Sequence, residues 1–192
     1  MGWEVDLRAS YPTMIVGLMQ EMGRRTERNP EMRCVEEYVR KTDEMRARVA
    51  RDYGTNPNLA KQLFNRIIFG GGIAKWKKDF GIEAQARSED AEKFEKQMNR
   101  ARVLIAADER RNGGAKGAKD KTLVSRAVGR VEERLMAKMS EVLAGEGWKT
   151  GSLIHDAIII GKEGDQRRPK EQQEELEQIV RTVLRGAMEE RG

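Results

Sequence analysis

A single cysteine, Cys34, in 192 residues leaves nothing to build a disulfide framework or a cysteine-based zinc cluster. Histidine is equally scarce, with His155 standing alone, and aromatic residues make up only 5% of the chain. No run of apolar residues approaches the length needed to cross a bilayer. The opening residues, MGWEVDLRASYP, lack the basic n-region and apolar h-region of a secretion signal. Together these absences point to a reducing cytoplasmic setting, such as a nucleoid or a viral replication site. The length suits one domain of ordinary size, or one domain carrying an inserted lobe.

What the chain has in quantity is charge. Lys and Arg number 37 against 32 Asp and Glu, for a net charge of +5 and a pI near 9.4. That permits a polyanionic partner without establishing one, because many of the cations sit beside acids at helical spacing.

The pattern along the chain predicts a strand, then many helices, then a strand and a last helix. Residues 3–7 alternate large apolar with acidic residues and read as a short strand. Pro12 opens a helix over Thr13 to Met22, followed by a polar loop at 24–30. A charged amphipathic helix is predicted from Glu31 to Tyr53, and Gly54 to Pro57 break it. Helices follow at Asn58–Phe69, with Asn56 or Asn58 as cap, at Ile73–Phe80 and at Glu89–Arg111. A basic Gly-rich loop at 112–121 leads to a helix over Thr122 to Leu143. The dense β-branched run Ser152–Gly161 reads as a buried strand or tight hairpin, and Pro169–Glu190 as a closing amphipathic helix.

Two residues of this outline stand out chemically. Asp6 ends the first strand signal and Asp156 lies inside the last, both among apolar neighbours. A carboxylate there is costly unless it is paired or bound to a metal. Two carboxylates on neighbouring strands can hold a pair of divalent ions about 4 Å apart. Oxygen ligands without a cysteine cluster suit Mg²⁺, with Mn²⁺ as the alternative ion. Lys61, Asn65 and Phe69 recur at four-residue spacing, so one helix face carries a phosphate-seeking cation, a polar group and a ring on which a base can stack.

The segment Asp6-Leu-Arg-Ala-Ser-Tyr-Pro-Thr resembles motif A of DNA polymerases, in its family B wording. Asn58-Leu-Ala-Lys61 through Asn65, Phe69 and Gly70 resembles motif B of family A polymerases, and Leu153-Ile-His155-Asp156 resembles motif C of that family. The three occur in the family's order and span most of the chain. The resemblance implies an α/β (α+β) fold: a small antiparallel palm sheet from residues 1–23 and 122–192, and a mostly helical fingers insertion from 24–121. It implies template-directed addition of deoxynucleotides to a primer 3′ end with two Mg²⁺ ions. Asp6, the carbonyl of Leu7 and Asp156 would hold the ions. Lys61 would grip the triphosphate beside Asn65. Phe69 would stack near the nascent pair, and Gly70 would let the template pass. Tyr11, five residues after Asp6, would exclude a ribose 2′-hydroxyl. His155 would meet the primer terminus. The helix before motif C lacks the family's Asn and Gln pattern, so Arg126 and Arg130 are expected to touch the primer-template DNA backbone instead, with Lys116 and Lys119 of the basic loop gripping phosphates.

The chain also departs from the family. Pro57 stands where a second triphosphate-binding Arg is expected, which directs attention to Lys75, Lys77 and Lys78. Ala157 replaces the last acid of motif C. No thumb or exonuclease is visible, so the expectation is a minimal polymerase, a fragment of a larger one, or a subunit that borrows those parts from a partner. Three rival functions share these features: a primase-like enzyme, a metal-dependent nuclease, and a nucleic-acid-binding accessory subunit without turnover.

Overall fold

The computed structural model describes residues 3–6, 9–26, 31–113, 117–154, 157–161, 170–171, 173–179 and 182. Their order is β1 (Trp3–Asp6), α1 (Ser10–Thr26), α2 (Arg33–Arg40), α3 (Thr42–Asp52), α4 (Pro57–Ile68), α5 (Ile73–Phe80), α6 (Glu89–Arg111), α7 (Asp120–Gly145), β2 (Lys149–Ile154) and β3 (Ala157–Gly161). Residues 173–179 are helical as well. The chain divides into two compact units, one formed by Met1–Ser10 with Gly129–Gly192, the other by Tyr11–Val128.

The expectation of an α/β palm-sheet fold is corrected. Helix dominates the described residues, with α6 and α7 alone covering 23 and 26 residues. The strands hold only 4, 6 and 5 residues. The physical reason is that the β-branched run folds back on itself. Its two halves pair as a hairpin with β1 alongside, so the described residues are mainly helical with a small three-stranded sheet.

That sheet has the order β1-β3-β2 and is antiparallel throughout. Trp3 pairs with Ile160 and Asp6 with Ala157, while Ile154 faces Ala157 across the hairpin. An irregularity between Thr150 and Leu153 shifts the register of β2. Behind it, Met136, Met139 and Leu143 from α7 join Trp148, Ile160 and Leu176 in one buried cluster. The methionine and leucine spacing of α7 supplies the apolar stripe for this packing.

The other unit is built on aromatic packing. Tyr38 of α2, Phe64 of α4 and Phe94 of α6 meet with centroids 4.4, 5.0 and 4.9 Å apart. All three rings are buried, and the Phe64–Phe94 pair is edge to face at 88°, so the cluster brings both buried area and favourable ring geometry. Tyr53 and Trp76 form a second pair at 5.2 Å, edge to face. Charges tie the periphery together. Arg48 of α3 bonds Glu37 of α2 and Asp90 of α6, each at 2.8 Å.

The predicted helix over 31–53 is two helices. Lys41 leaves helical geometry at φ −131° and ψ 46°, and the buried Thr42 hydroxyl donates to the Tyr38 carbonyl at 2.7 Å. Such back-bonding bends a helix, and here it lets α2 and α3 each lay a face on the same core. The start of α4 is settled by Asn56, whose side chain accepts from the Leu59 amide at 3.0 Å, with Pro57 at the first helical position. Helix α1 runs further than predicted at both ends, and α6 keeps the predicted bounds.

Two outcomes test this packing. Phe94→Ala removes the ring that contacts both Tyr38 and Phe64, and a loss of about 3–5 kcal/mol in denaturant unfolding is expected. Cys34 is buried, its thiol donates to the Asp90 carbonyl at 3.4 Å, and burial beside Asp90 and Glu37 pushes it up to about 12. The reactive thiolate is therefore scarce at neutral pH. Labelling of the native protein by a disulfide reagent at pH 8 should run on the order of a hundredfold slower than labelling of the denatured chain.

Candidate functional site

The exposed face of α4 ends in an aromatic ring. Lys61 and Asn65 are exposed, and Phe69, the residue after the last helical turn, is 70% exposed. A large apolar ring in that position departs from the rule that buries phenylalanine. The chain then turns sharply. Gly70 adopts φ +89°, its amide donates to the Ile67 carbonyl at 3.1 Å, and the Gly71 amide donates to Arg66 at 2.7 Å. A Cβ on Gly71 would press on the Arg66 carbonyl at 3.1 Å, so this corner needs glycine for space as well as for φ. A Cβ on Gly70 would meet nothing within 4 Å, so the space beside it is open.

Arg102 of α6 fixes the corner from below. Its guanidinium donates to the Ile67 carbonyl and, at 3.1 Å, to the Ile68 carbonyl, and its other terminal nitrogen bonds Asn99. These are the last carbonyls of α4, where a cation also complements the helix dipole. Burial lowers the pKa of this arginine from its ordinary value, with Tyr11 and Glu95 acting in the opposite sense.

Tyr11, in the first turn of α1, comes against this corner. Its ring lies 5.2 Å from that of Phe69 with the planes tilted by 56°. Burial raises its hydroxyl pKa above the ordinary tyrosine value, and Arg102 offsets part of that rise. The two rings border a cavity of about 400 Å³ that is also lined by Arg102, Lys121, Ser125 and Arg126. Its volume falls in the range of small-molecule sites. Its walls can offer stacking on one side and positive charge on the other.

The remaining predicted residues fall in several places. Lys61 and Asn65 do not line this cavity. Lys119 is exposed, and its carbonyl accepts the Thr122 and Leu123 amides at 2.9 and 3.2 Å at the opening of α7. Arg126 lines the cavity, whereas Arg130 is exposed one turn further along α7. Leu7, Lys116, His155 and Asp156 lie outside the described residues. Lys77, considered above as a substitute phosphate ligand, is otherwise engaged. It donates to the Ala84 carbonyl at 3.0 Å and to that of Ala86, and lies over the Tyr53 ring at 5.3 Å. Lys75 and Lys78 remain exposed.

The donor set for a divalent ion can be judged from the strand register. Asp6 pairs with Ala157, the residue that follows Asp156 in the sequence. Strand pairing therefore fixes the backbone of Asp6 opposite Ala157, and oxygen donors of the carboxylate kind are those that fit Mg²⁺. Among the described residues no group of three or more His, Cys, Asp or Glu comes together. Also among them, no helix is long and apolar enough to cross a membrane.

Arg102 had no signature in the sequence. It is one of many cations in a charged helix, and only its half-buried position and its bonds to α4 distinguish it. Arg102→Met should cost about 1–3 kcal/mol in denaturant unfolding, because it strips donors from partly buried carbonyls, while Lys121→Ala should change stability by less than about 0.5 kcal/mol. No protein-family model matches the chain, and no curated protein matches it either.

Proposed function

We propose that this chain is a template-directed DNA polymerase, which transfers a deoxynucleotide from its triphosphate to a primer 3′ end. The observation that carries the reading is the contact between Tyr11 and Phe69. The two residues come from separate polymerase-like motifs, and each is assigned by its own motif to the incoming nucleotide. Support comes also from the exposed face of Lys61, Asn65 and Phe69, and from the pairing of Asp6 with the residue after Asp156.

On this reading two Mg²⁺ ions, held by Asp6, Asp156 and the Leu7 carbonyl, supply charge neutralisation at the reacting phosphate. The chain's own groups do the positioning. Phe69 offers its exposed face to the base, and Tyr11, backed by the Phe69 ring, bars a 2′-hydroxyl. Lys61 binds the triphosphate as a point charge, and Asn65 extends the same face. The open space beside Gly70 admits the template. His155, Arg126, Arg130, Lys116 and Lys119 serve the primer-template duplex, where cations on phosphate fix register without reading sequence. Catalysis then rests on orientation and charge. A thumb, from a partner or a further domain, would raise retention on DNA.

Extension of a primed DNA template with Mg²⁺ and dNTPs is expected from the wild type. It should fall by about a hundredfold or more in Asp6→Ala and in Asp156→Ala, the scale on which charge-stabilising groups act. Tyr11→Ala should retain extension and admit ribonucleotides. Absence of extension by the wild type at high enzyme and low salt would favour an accessory nucleic-acid-binding role.

A further inference from the structure

The cavity beside Tyr11 and Phe69 has an unbalanced charge. Arg102, Lys121 and Arg126 line it, and among the described residues no Asp or Glu does. The nearest acid in sequence, Asp120, is engaged by Arg110. Lys121 and Arg126 are exposed and have no acidic partner among the described residues. Other surface cations of this chain are neutralised by acids, as Lys93 is by Glu89 and Arg87 by Glu92. A concave wall of unneutralised cations concentrates anions, and the effect grows with the charge of the ligand.

The opposite wall is aromatic. The Phe69 ring is mostly exposed and is held in place from two sides, by the Tyr11 ring and by the Arg102 bonds to the carbonyls before it. A fixed, solvent-facing ring is a stacking platform that loses little entropy on binding. Ser125, one turn after Lys121 on α7, adds a hydroxyl on the cationic side. Ring and cations therefore belong to one small cavity, while Lys61 is about two turns away along α4 and does not line it.

The geometry points to this cavity as a nucleoside-phosphate site, with the base on Phe69 and Tyr11 and the phosphates on Lys121 and Arg126. The inference rests on the nucleotide-binding part of the function proposed above. It moves the phosphate contact from the face of α4 to α7, where Arg126 would also make good the arginine that Pro57 replaces. The phosphate could belong to a free triphosphate or to a nucleotide within a strand, since both present the same chemistry.

Equilibrium binding of dATP, of deoxyadenosine and of a short single-stranded oligonucleotide tests the site on the wild type and on the Lys121→Ala/Arg126→Ala double variant. Both substituted residues are exposed, so the variant should fold, and circular dichroism checks that it does. The double variant should bind a phosphate-bearing ligand at least about tenfold more weakly, the scale of two lost charge-assisted contacts, while its affinity for deoxyadenosine stays the same. Loss confined to dATP identifies a free nucleotide as the occupant, and loss confined to the oligonucleotide identifies a strand nucleotide; either supports the site. An unchanged affinity for both, with Lys61→Ala producing the loss instead, overturns this inference and leaves the proposed function standing. Equal loss for deoxyadenosine also overturns it, because the cations would then act without phosphate. Failure of the wild type to bind any of the three overturns both.

Discussion

Pairing of Trp3–Asp6 with Ala157–Ile160 closes a loop that contains all seven labelled helices. For a flexible loop of that length the entropic cost is on the order of 4 kcal/mol before any constant term. It can be met because the helices inside the loop have a core of their own. The Tyr38, Phe64 and Phe94 cluster and the Tyr53–Trp76 pair lie wholly within Tyr11–Val128. An insertion that packs on itself shortens the effective loop to its two ends. The pairing then brings the neighbourhood of Asp6 to the neighbourhood of Asp156 in the chain, which no local interaction could do.

The corner after α4 is the second constraint, and it works by removing freedom. Left-handed geometry at Gly70, crowding at Gly71 and the Arg102 bonds to Ile67 and Ile68 all act within a few residues of Phe69. A phenylalanine that is mostly exposed gains little from burial, so its position has to be imposed by the backbone and by neighbours. Tyr11 completes that restraint. Stability and site geometry thus draw on the same contacts.

Much of the helical layout was legible because punctuation and periodicity agreed. Asn56-Pro57 marks one start, Gly70 one stop, and the acids Glu89, Asp90 and Glu92 mark the opening of α6. The break between α2 and α3 was not legible, since Lys41 and Thr42 carry no breaker signal and the cause is a buried hydroxyl bond. The fold class was misjudged because it was taken from the resemblance of three short motifs, which says little about how much helix surrounds them. Folded as a hairpin, the β-branched run yields two short strands, and helices outweigh them. Within the candidate site, Tyr11 and Phe69 were readable from motif spacing, whereas their contact was not, because it joins α1 to the end of α4. Arg102 escaped for a different reason: charge alone cannot distinguish a solvated arginine from one that holds a helix end. Lys77 shows the reverse error, a cation that looked available and is spent on the Ala84 and Ala86 carbonyls.

Helices α2 and α5 lack side-chain caps of their own. Gln97 accepts the Cys34 and Val35 amides at 3.0 and 3.3 Å, and Glu95 accepts the Ile73 amide at 2.9 Å. Both acceptors come from α6, so one later helix supplies the starting points of two earlier ones. On the ribosome this sets an order of events. Helices α2 and α5 leave the exit tunnel with their starts unsatisfied, and they gain those partners only when the middle of α6 has followed them out. The N-terminal half of the nascent chain must therefore wait, partly formed, for a segment that the ribosome has yet to make.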